Sequence, residues 1–300
     1  MALNDEKFPD IDTKSTVQNH AGIGLKAQHY REILDTRPAI GWFEVHTENY
    51  MGAGGAPHHY LSAVREDYPV SFHGVGLSLG GADPLDREHL AKTKALIERY
   101  EPALVSEHLA WSKLDHMHFN DLLPVPLTFE ALETVANHID DVQNFLGQEI
   151  LIENPSTYLA FAHSDMAEPE FLISLAQKSG CRLLVDVNNV YVSAKNHGFD
   201  ASAWLSNIPA HLVGEIHLAG HAVERVGQDE ILIDDHGSIV SPAVWALYEA
   251  FIARIGTRPT LVEWDNNIPT LSDWMAQASR AQEVLSRQIS DGESAERADA

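Results

Sequence analysis

Acidic, imidazole and amide side chains recur at the ends of short apolar runs in this sequence. The stretch "GWFEVHTENYM" at residues 41–51 has Glu44, His46 and Glu48 at every second position. Because side chains alternate across a strand, this spacing predicts that the three residues share one face. Apolar runs end in polar residues at six further places: His73, Glu107/His108, Glu153/Asn154, Asp186/Asn188/Asn189, His217 and Glu263.

Acids and imidazoles gathered from several strands have the composition of a metal site. A structural hydrogen bond would explain any one of these residues alone. Burying so many ionisable groups together, however, is costly unless cations compensate their charge. Carboxylates and neutral imidazoles without thiolates suit Zn, Fe or Mn and do not suit an iron–sulfur cluster. About eight or nine donors exceed the needs of one zinc ion, so the pattern predicts two or three metal ions.

Eight apolar runs predict the strands that position these side chains. They occupy residues 22–26, 42–46, 70–76, 103–109, 149–154, 181–188, 212–218 and 260–265. Strand and helix patterns alternate, which predicts an α/β fold, a (β/α)8 TIM barrel with the polar strand ends at its carboxyl-terminal mouth. A doubly wound open sheet is the alternative, although no Gly-x-Gly-x-x-Gly sequence follows the first strand. "DDHGS" at 234–238 lies in a long connection after the seventh strand and is interpreted as an active-site loop.

Amphipathic stretches between these runs predict the helices. They cover residues 86–100, 128–147, 168–180 and 241–256. Asp86, Thr128 and Ser241 are expected to cap the starts of three of these helices. Gly147 and Gly180 are expected to end two of them.

Length, charge and cysteine content limit the remaining possibilities. The 300 residues predict a flexible segment over 1–20, a single barrel domain over 21–287 and a disordered tail over 288–300. The formal charge of −24, from 44 acidic and 20 basic residues, opposes binding to nucleic acid or anionic membranes. The one cysteine, Cys181, allows no intrachain disulfide, and no apolar run is long enough to span a membrane. The cytoplasm is the expected location.

Longer stretches around the polar residues follow one another in a family-specific order. They are "EVHTENYM", "SFHGVGLSLGG", "SEHLAWS", "LIENPSTY", "LLVDVNNVYVSAKNHGFD", "EIHLAGH", "DDHG" and "LVEWDNNIP". In this order they resemble the multinuclear non-heme iron-dependent oxidative enzymes, over about residues 20–285. That family is more distantly similar to metal-dependent barrels of the xylose isomerase and endonuclease IV type, which implies a xylose isomerase-like barrel. The metal ligands implied by this similarity are His73, His108, Glu153, Asp186, Asn189, His217, Asp234, His236 and Glu263.

The resemblance also decides between neighbouring residues. It implies His108 rather than Glu107 as a ligand, and Glu153 rather than Asn154 as the carboxylate that bridges two metals. The distant relatives have histidine where this chain has Asn189. Because an amide is a weaker ligand than an imidazole, a third metal would be loosely held or absent.

Further polar residues are expected to line the same mouth and to support the ligands. They are His46, Glu48, Asn49, Glu107, Asn154 and Asn188. His46 is predicted either to bind a metal itself or, as we favour, to hydrogen-bond a ligand and orient it. Glu44 lies deeper along its strand and is expected to be structural.

The resemblance implies an oxidoreductase that modifies peptides. Members of the family use iron and dioxygen to oxidise cysteine or neighbouring residues of ribosomally made peptides, giving oxazolone–thioamide pairs or thiooxazole-type heterocycles. The implied cofactors are two or three iron ions of mixed Fe(II)/Fe(III) valence, with dioxygen as co-substrate. The implied partners are a cysteine-containing precursor peptide and a separate peptide-binding protein that forms a heterodimer with the enzyme.

Two other hypotheses remain open on the sequence alone. The first is a zinc- or manganese-dependent hydrolase or isomerase of the endonuclease IV or xylose isomerase type. The second is a non-catalytic metal-binding protein that takes part in peptide biosynthesis.

Overall fold

The polar strand ends belong to a closed barrel. The computed structural model of the protein describes residues 17–114 and 117–298. Its strands, in chain order, are β1 (Ala21–Gly24), β2 (Trp42–His46), β3 (Val70–Gly74), β4 (Leu104–His108), β5 (Ala110–Leu114), β6 (Met117–Pro124), β7 (Leu151–Glu153), β8 (Arg182–Asp186), β9 (Val213–Leu218), β10 (Ala222–Val226), β11 (Asp229–Ile233) and β12 (Thr260–Val262).

Eight of these described strands form the barrel wall. Strands β1, β2, β3, β4, β7, β8, β9 and β12 pair in that order, each parallel to its neighbours, and β12 pairs with β1 to close the ring. The predicted (β/α)8 TIM barrel is therefore confirmed, and the doubly wound open sheet is wrong. Because all eight strands run the same way, their carboxyl ends open onto one mouth.

Helices cover the outside of the barrel. In chain order they are α1 (Tyr30–Thr36), α2 (Ala56–Asp67), α3 (Arg87–Tyr100), α4 (Phe129–Leu146), α5 (Glu168–Ser179), α6 (Val187–His197), α7 (Ala201–Asn207), α8 (Pro242–Ile255) and α9 (Leu271–Ala298). The side chains of Asp86, Thr128 and Ser241 accept hydrogen bonds from first-turn N–H groups of α3, α4 and α8, as predicted. Gly147 and Gly180 end α4 and α5 with φ of 79° and 71°, which glycine adopts at little cost.

Strand alternation separates an apolar outer face from a polar interior. Phe43 and Phe72 belong to the large apolar core that the strands share with the helices. Trp42, Val17 and Leu261 form a separate small cluster near the amino-terminal ends of the strands. Toward the carboxyl ends the interior positions are polar, and this is the row of acids and imidazoles seen in the sequence.

Two antiparallel hairpins, β5–β6 and β10–β11, follow the barrel strands β4 and β9. The sequence does not predict them, because their strands are mixed in polarity, as in "AVERV" of β10. The loop 234–238 comes directly after β11, and its Asp234, Asp235 and His236 line the mouth of the barrel. This is the position expected of an active-site loop.

The chain ends differ in part from the predicted boundaries. Of the segment 1–20, residues 1–16 lie outside the described residues, and Val17 is buried. Helix α9 continues to Ala298, and the disordered tail over 288–300 stays a prediction, with residues 299 and 300 outside the described residues. The single domain over 21–287 stays a prediction. Within the described part of the chain, no helix combines the length and apolarity needed to cross a lipid bilayer.

Candidate metal centre

Glu153 is at the centre of the mouth, between histidines from two neighbouring strands. It ends β7, and its Oε2 lies 3.2 Å from Nε2 of both His73 on β3 and His108 on β4. The other nitrogen of each ring is held by a hydrogen bond. Nδ1 of His73 is 2.8 Å from Ser106 Oγ, and Nδ1 of His108 donates to the Gly74 carbonyl at 3.0 Å. Metal-binding histidines are oriented by hydrogen bonds of this kind.

A second group of ionisable side chains lies deeper in the barrel, around His217. This residue of β9 is fully buried, with Nδ1 3.3 Å from Glu263 Oε2 and Nε2 3.3 Å from Glu44 Oε1. Glu215, two residues earlier on the strand, has its Oε1 3.6 Å from His217 Nε2. Ser71 donates to Glu44 Oε2 at 2.9 Å. With Glu153, whose Oε1 is 4.0 Å from His217 Nδ1, four carboxylates surround this imidazole.

The outer part of the mouth is built from the active-site loop and the segment after β12. Nε2 of His236 lies 2.7 Å from Asp234 Oδ1, and its Nδ1 lies 3.3 Å from Glu263 Oε2 and 3.4 Å from Asp265 Oδ2. His46 points toward the same carboxylates, with Nε2 3.7 Å from Glu263 Oε1 and 3.8 Å from Asp265 Oδ1. Glu263 thus connects this outer group to the deeper group around His217.

Asp186 and Asn189 enter the site where β8 passes into α6. Asp186 Oδ1 caps the helix by accepting the Asn189 N–H at 2.7 Å. The Asn189 amide donates to Glu153 Oε1 at 3.3 Å and to the Asn154 carbonyl at 3.1 Å. Among the described residues, Asp186 Oδ2 and Asn189 Oδ1 find no hydrogen-bond partner. Both oxygens are therefore available as ligands.

The ionisable groups of the cluster shift one another's pKa strongly. Burial disfavours a charged His73, but the Glu153 and Glu44 carboxylates outweigh this effect and raise the pKa of His73 to about 10. Burial likewise opposes ionisation of Glu153, but His108, His73 and His217 lower its pKa to about 2. Burial, together with the charge of Glu44, raises the pKa of Glu215 to about 7. The cluster is thus held together by mutual charge compensation and retains acids that resist ionisation.

Several buried polar atoms of the cluster lack a hydrogen bond within the described part of the chain. They are Glu153 Oε2, Asp186 Oδ2, Asn189 Oδ1, Nδ1 and Nε2 of His217, His236 Nε2 and both carboxylate oxygens of Glu215. Buried polar atoms are normally paired, and leaving them unpaired costs about 1–3 kcal/mol each. Some of these atoms lie within ion-pair distance of one another, as Glu153 Oε2 and His73 Nε2 do at 3.2 Å, but without the geometry of a hydrogen bond. So many atoms of metal-ligand type without a hydrogen bond in one place fit a group of cations, which would bind them.

The spacing of the donors also fits metal ions. Five overlapping triads have ligand atoms within 4.8 Å of one another: His73/His108/Glu153, Glu44/Glu215/His217, His46/Glu263/Asp265, Glu153/Asp186/His217 and Asp186/His236/Glu263. Carboxylates shared between triads are the arrangement expected of a multinuclear centre. The mouth above them is a cavity of about 460 Å³, large enough to admit a substrate.

The nine residues proposed as ligands from the sequence all lie at this mouth or directly beneath it. His73, His108, Glu153, Asn189, Asp234, His236 and Glu263 line the cavity, and Asp186 and His217 are buried below them. Asn188 lies beside them, donating to Asp234 Oδ1 at 2.7 Å, and its Oδ1 is 2.8 Å from Nδ1 of His221. Their role as ligands stays a prediction.

Glu48, Glu107 and Asn49 do not reach the mouth. The strand β2 ends at His46, and the helical turn Thr47–Tyr50 breaks the alternation, so Glu48 does not share the face of Glu44 and His46. Glu48 Oε1 instead accepts the backbone N–H groups of Val75 and Gly76. Glu107 accepts the N–H of Leu77 at 3.3 Å, and Asn49 is exposed on the turn.

Two acids of the cluster, Glu215 and Asp265, are absent from the sequence-based site. Each lies two residues from a predicted ligand on an extended segment, Glu215 before His217 and Asp265 after Glu263. The period of two along a strand was the signal that could have found them. Asp265 also pairs with Lys26, from the connection after β1.

Asn154 fastens the end of β7 to the end of β8. Its Nδ2 donates to the Asp186 carbonyl at 3.1 Å, and its Oδ1 accepts the Asp186 N–H at 3.0 Å. Asn154→Ala would leave both buried backbone groups unpaired, so we expect a loss of about 2–4 kcal/mol in the free energy of unfolding. Urea denaturation monitored by circular dichroism measures this loss. The control is Asn144→Ala, at an exposed position of α4; equal stability losses in the two variants would contradict the role of Asn154.

Fold and site together define a TIM-barrel protein with a cluster of metal-ligand side chains at its mouth. A family described as "RiPP precursor modification enzyme MbnB/TglH/ChrH" matches residues 20–286, where RiPP denotes a ribosomally synthesised and post-translationally modified peptide. This match covers most of the chain, and the protein belongs to this family. The predicted resemblance is confirmed at this level.

Relatives with similar sequences carry only a general name. A "UPF0276 protein" of Rhizobium meliloti is 52% identical over 273 residues, which is 90% of this chain and 88% of that protein. A "UPF0276 protein" of Paraburkholderia phytofirmans is 50% identical over 272 residues, 90% of this chain and 89% of that protein.

Solved structures with a similar fold are distant in sequence. Endonuclease IV from Thermus thermophilus has a TM-score of 0.58 and 14% identity, covering 89% of this chain and 99% of that structure. A D-psicose 3-epimerase solved in the presence of D-fructose has a TM-score of 0.56 and 11% identity, covering 89% of this chain and 97% of that structure. At these identities the likeness establishes the fold alone.

Proposed function

We propose that this enzyme is an iron- and dioxygen-dependent oxidase that modifies cysteine residues of a ribosomally made precursor peptide. The observation that carries the proposal is the cluster of imidazole and carboxylate atoms without hydrogen bonds at an open mouth, in a chain of a peptide-modifying family. Imidazole and carboxylate donors without thiolate suit iron, and a soft thiolate from the substrate can complete such a site.

The chain's residues divide into three groups of proposed metal ligands. His73, His108 and Glu153 form the first group, and Asp186, His236 and Glu263 form the second. The third group consists of Glu153, Asp186 and His217. Asn189, whose Oδ1 has no hydrogen-bond partner among the described residues, lies beside Glu153 and could add to this group. When bound, iron supplies the one-electron and dioxygen chemistry that amino-acid side chains lack.

His46 is the residue best placed to handle a proton at the mouth. Its Nε2 faces the carboxylates of Glu263 and Asp265 and lines the cavity, and its side chain is partly exposed. A substrate thiol entering the mouth must lose its proton before the sulfur can act as a ligand. We assign the His46 imidazole to accept this proton, with the two carboxylates that its Nε2 faces stabilising the resulting imidazolium. Direct metal binding by His46 is the alternative assignment.

The oxidation balances with dioxygen as the electron acceptor. Loss of hydrogen pairs from the cysteine and its neighbouring backbone breaks S–H, N–H and C–H bonds and forms new double or ring bonds in the peptide. The four electrons and four protons from two such pairs reduce one dioxygen to two water molecules. Buried, prepositioned imidazoles and carboxylates hold the reacting end of the peptide in one orientation, and this supplies a large part of the rate.

The test is a mass measurement on the peptide. We expect protein loaded with iron without oxygen, then mixed with the cysteine-containing peptide encoded beside its gene and exposed to air, to lower the peptide mass by whole hydrogen pairs. The same peptide with serine in place of cysteine is the control and should keep its mass. Unchanged mass for every neighbouring cysteine peptide would contradict the proposal. Activity with colourless zinc would favour the hydrolase or isomerase hypothesis.

The separate peptide-binding protein also belongs to this proposal. Apolar side chains exposed on the hairpin β5–β6, including Leu114, Met117 and Phe119, support such a contact. Co-purification of the enzyme with the product of an adjacent gene, at one copy of each, would test it.

A further inference from the structure

A second cavity of about 460 Å³ lies directly beside the metal mouth. Its walls come from the ends of β4 and β6, the segment after β7, the start of α5 and the helix α7. Pro124, Pro155 and Leu159 line both this cavity and the mouth. We name this second cavity the side pocket. Since the two spaces share wall residues, an extended chain whose reacting residue occupies the mouth passes the entrance of the side pocket.

The walls of the side pocket present mainly carbon atoms. Leu109, Val125 and Leu127 line one part, and Trp204 lies buried in another. At the rim, Leu159, Phe161 and Phe199 are 51%, 40% and 38% exposed. Large apolar side chains clustered on the surface of a chain with a net charge of −24 indicate a binding site.

Most polar side chains in these walls bond to one another or to the backbone. Glu168 accepts a hydrogen bond from the Trp204 indole N–H at 2.9 Å. The Asp200 carboxylate accepts the first N–H groups of α7. Thr157 Oγ1 and His197 Nε2 lie 3.0 Å apart. The binding free energy of an occupant therefore comes mainly from burying apolar surface, which favours a hydrocarbon side chain over a polar one.

We propose that the side pocket binds a large apolar side chain of the precursor peptide, located within a few residues of the cysteine that enters the mouth. The inference rests on the proposed function, since it places the reacting cysteine at the metal cluster. The occupant is assigned to the peptide because the pocket lies directly beside the mouth where the peptide reacts and shares Pro124, Pro155 and Leu159 with it. A cavity of about 460 Å³ has ample room for a large apolar side chain, so this site selects substrates by hydrophobic content.

The variant Ala203→Trp tests the pocket directly. Ala203 is an exposed residue of α7 that lines the pocket, so an indole there occupies part of the space and narrows the pocket without disturbing the core. Ser202→Trp is the matched control, at an exposed neighbouring position outside the pocket wall. Thermal unfolding of both variants checks that the fold is retained.

The first measurement uses a probe without cysteine, N-acetyl-L-phenylalaninamide, with N-acetyl-L-serinamide for comparison. By ligand-observed NMR we expect the phenylalanine probe alone to bind wild type and Ser202→Trp. We expect Ala203→Trp to weaken this binding about tenfold or more, the loss expected when an aromatic ring is no longer buried. Equal binding of the phenylalanine probe to Ala203→Trp and wild type would overturn the assignment of the pocket.

The second measurement uses iron-loaded enzyme without oxygen and a library of heptapeptides with a fixed central cysteine. Mass spectrometry of the retained peptides should show enrichment of Phe, Leu, Met or Trp near the cysteine for wild type and Ser202→Trp, and no enrichment for Ala203→Trp. The inference would be overturned if wild type showed no enrichment of these apolar residues, or if Ala203→Trp still showed it. Equal retention of a library with central serine would overturn the cysteine chemistry, while the first measurement would still support the pocket.

Discussion

Glu153→Gln is expected to lower the metal bound per chain at least about tenfold and to abolish peptide modification. The Glu153 carboxylate is fully buried, and its Oε2 faces two imidazole nitrogens at 3.2 Å while its Oε1 faces Asn189. An amide is nearly the same size but carries no charge, so it can neither compensate two cations nor bridge them with equal strength. Elemental analysis of protein purified without oxygen measures the metal, and peptide mass spectrometry measures the activity.

The matched control for this prediction is Glu149→Gln. Glu149 precedes the same strand, but its carboxylate is exposed and pairs with Arg182. Exposed ion pairs contribute about 0–1 kcal/mol, so this variant should keep the metal content and activity of wild type. A Glu153→Gln protein with normal metal content would show that Glu153 is not a ligand.

The fold was predictable because two independent patterns agree. Eight apolar runs alternate with amphipathic stretches, and the caps at Asp86, Thr128 and Ser241 mark where helices begin. The hairpins β5–β6 and β10–β11 were not predictable in this way. They lie outside the barrel and have no continuous buried face that would impose a regular pattern on their sequences.

The site was predictable where strand periodicity holds and was not where the backbone departs from it. Glu44 and His46 lie two residues apart on β2 and do point inward. Glu48 continues the spacing in the sequence, but the turn Thr47–Tyr50 rotates it out of the row. Glu215 follows the period of two but is not predicted from the sequence, because it is a single acid in the middle of an apolar run. Only the folded barrel shows that it lies beside His217.

Between Glu107 and His108, the sequence alone leaves the choice open. They are consecutive on β4, so one of them faces the interior and the other faces the helices. The structure places His108 beside Glu153, whereas Glu107 accepts a backbone hydrogen bond from Leu77. Strand periodicity therefore shows that only one of the two residues faces the interior, and the resemblance to a metal-dependent family indicates that it is His108.

Charge compensation within the cluster determines how the metal-free protein responds to pH. The pKa of His73 is about 10 in the folded chain, above its ordinary value of about 6.5. The charged imidazole therefore stabilises the metal-free fold fully below about pH 6.5, and this contribution is lost as pH rises through about 10. Metal ions bind the neutral imidazole, so binding of a cation to His73 releases its proton. The affinity for the cation therefore increases as pH rises from about 6.5 to about 10.

Removing the metal is therefore expected to lower the melting temperature, and the difference should widen as pH rises from about 6.5 to about 9. At a free metal concentration about a thousandfold above the dissociation constant, binding adds about 4 kcal/mol, which is roughly 10 °C for a domain of this size. Calorimetry of chelated and Fe(II)-loaded protein without oxygen measures the difference at each pH. His163→Ala is the control, since His163 is exposed and pairs with Asp165 outside the cluster. If the difference in melting temperature stays constant or narrows as pH rises, no metal displaces the proton of His73. His73 would then have to be removed from the set of proposed ligands.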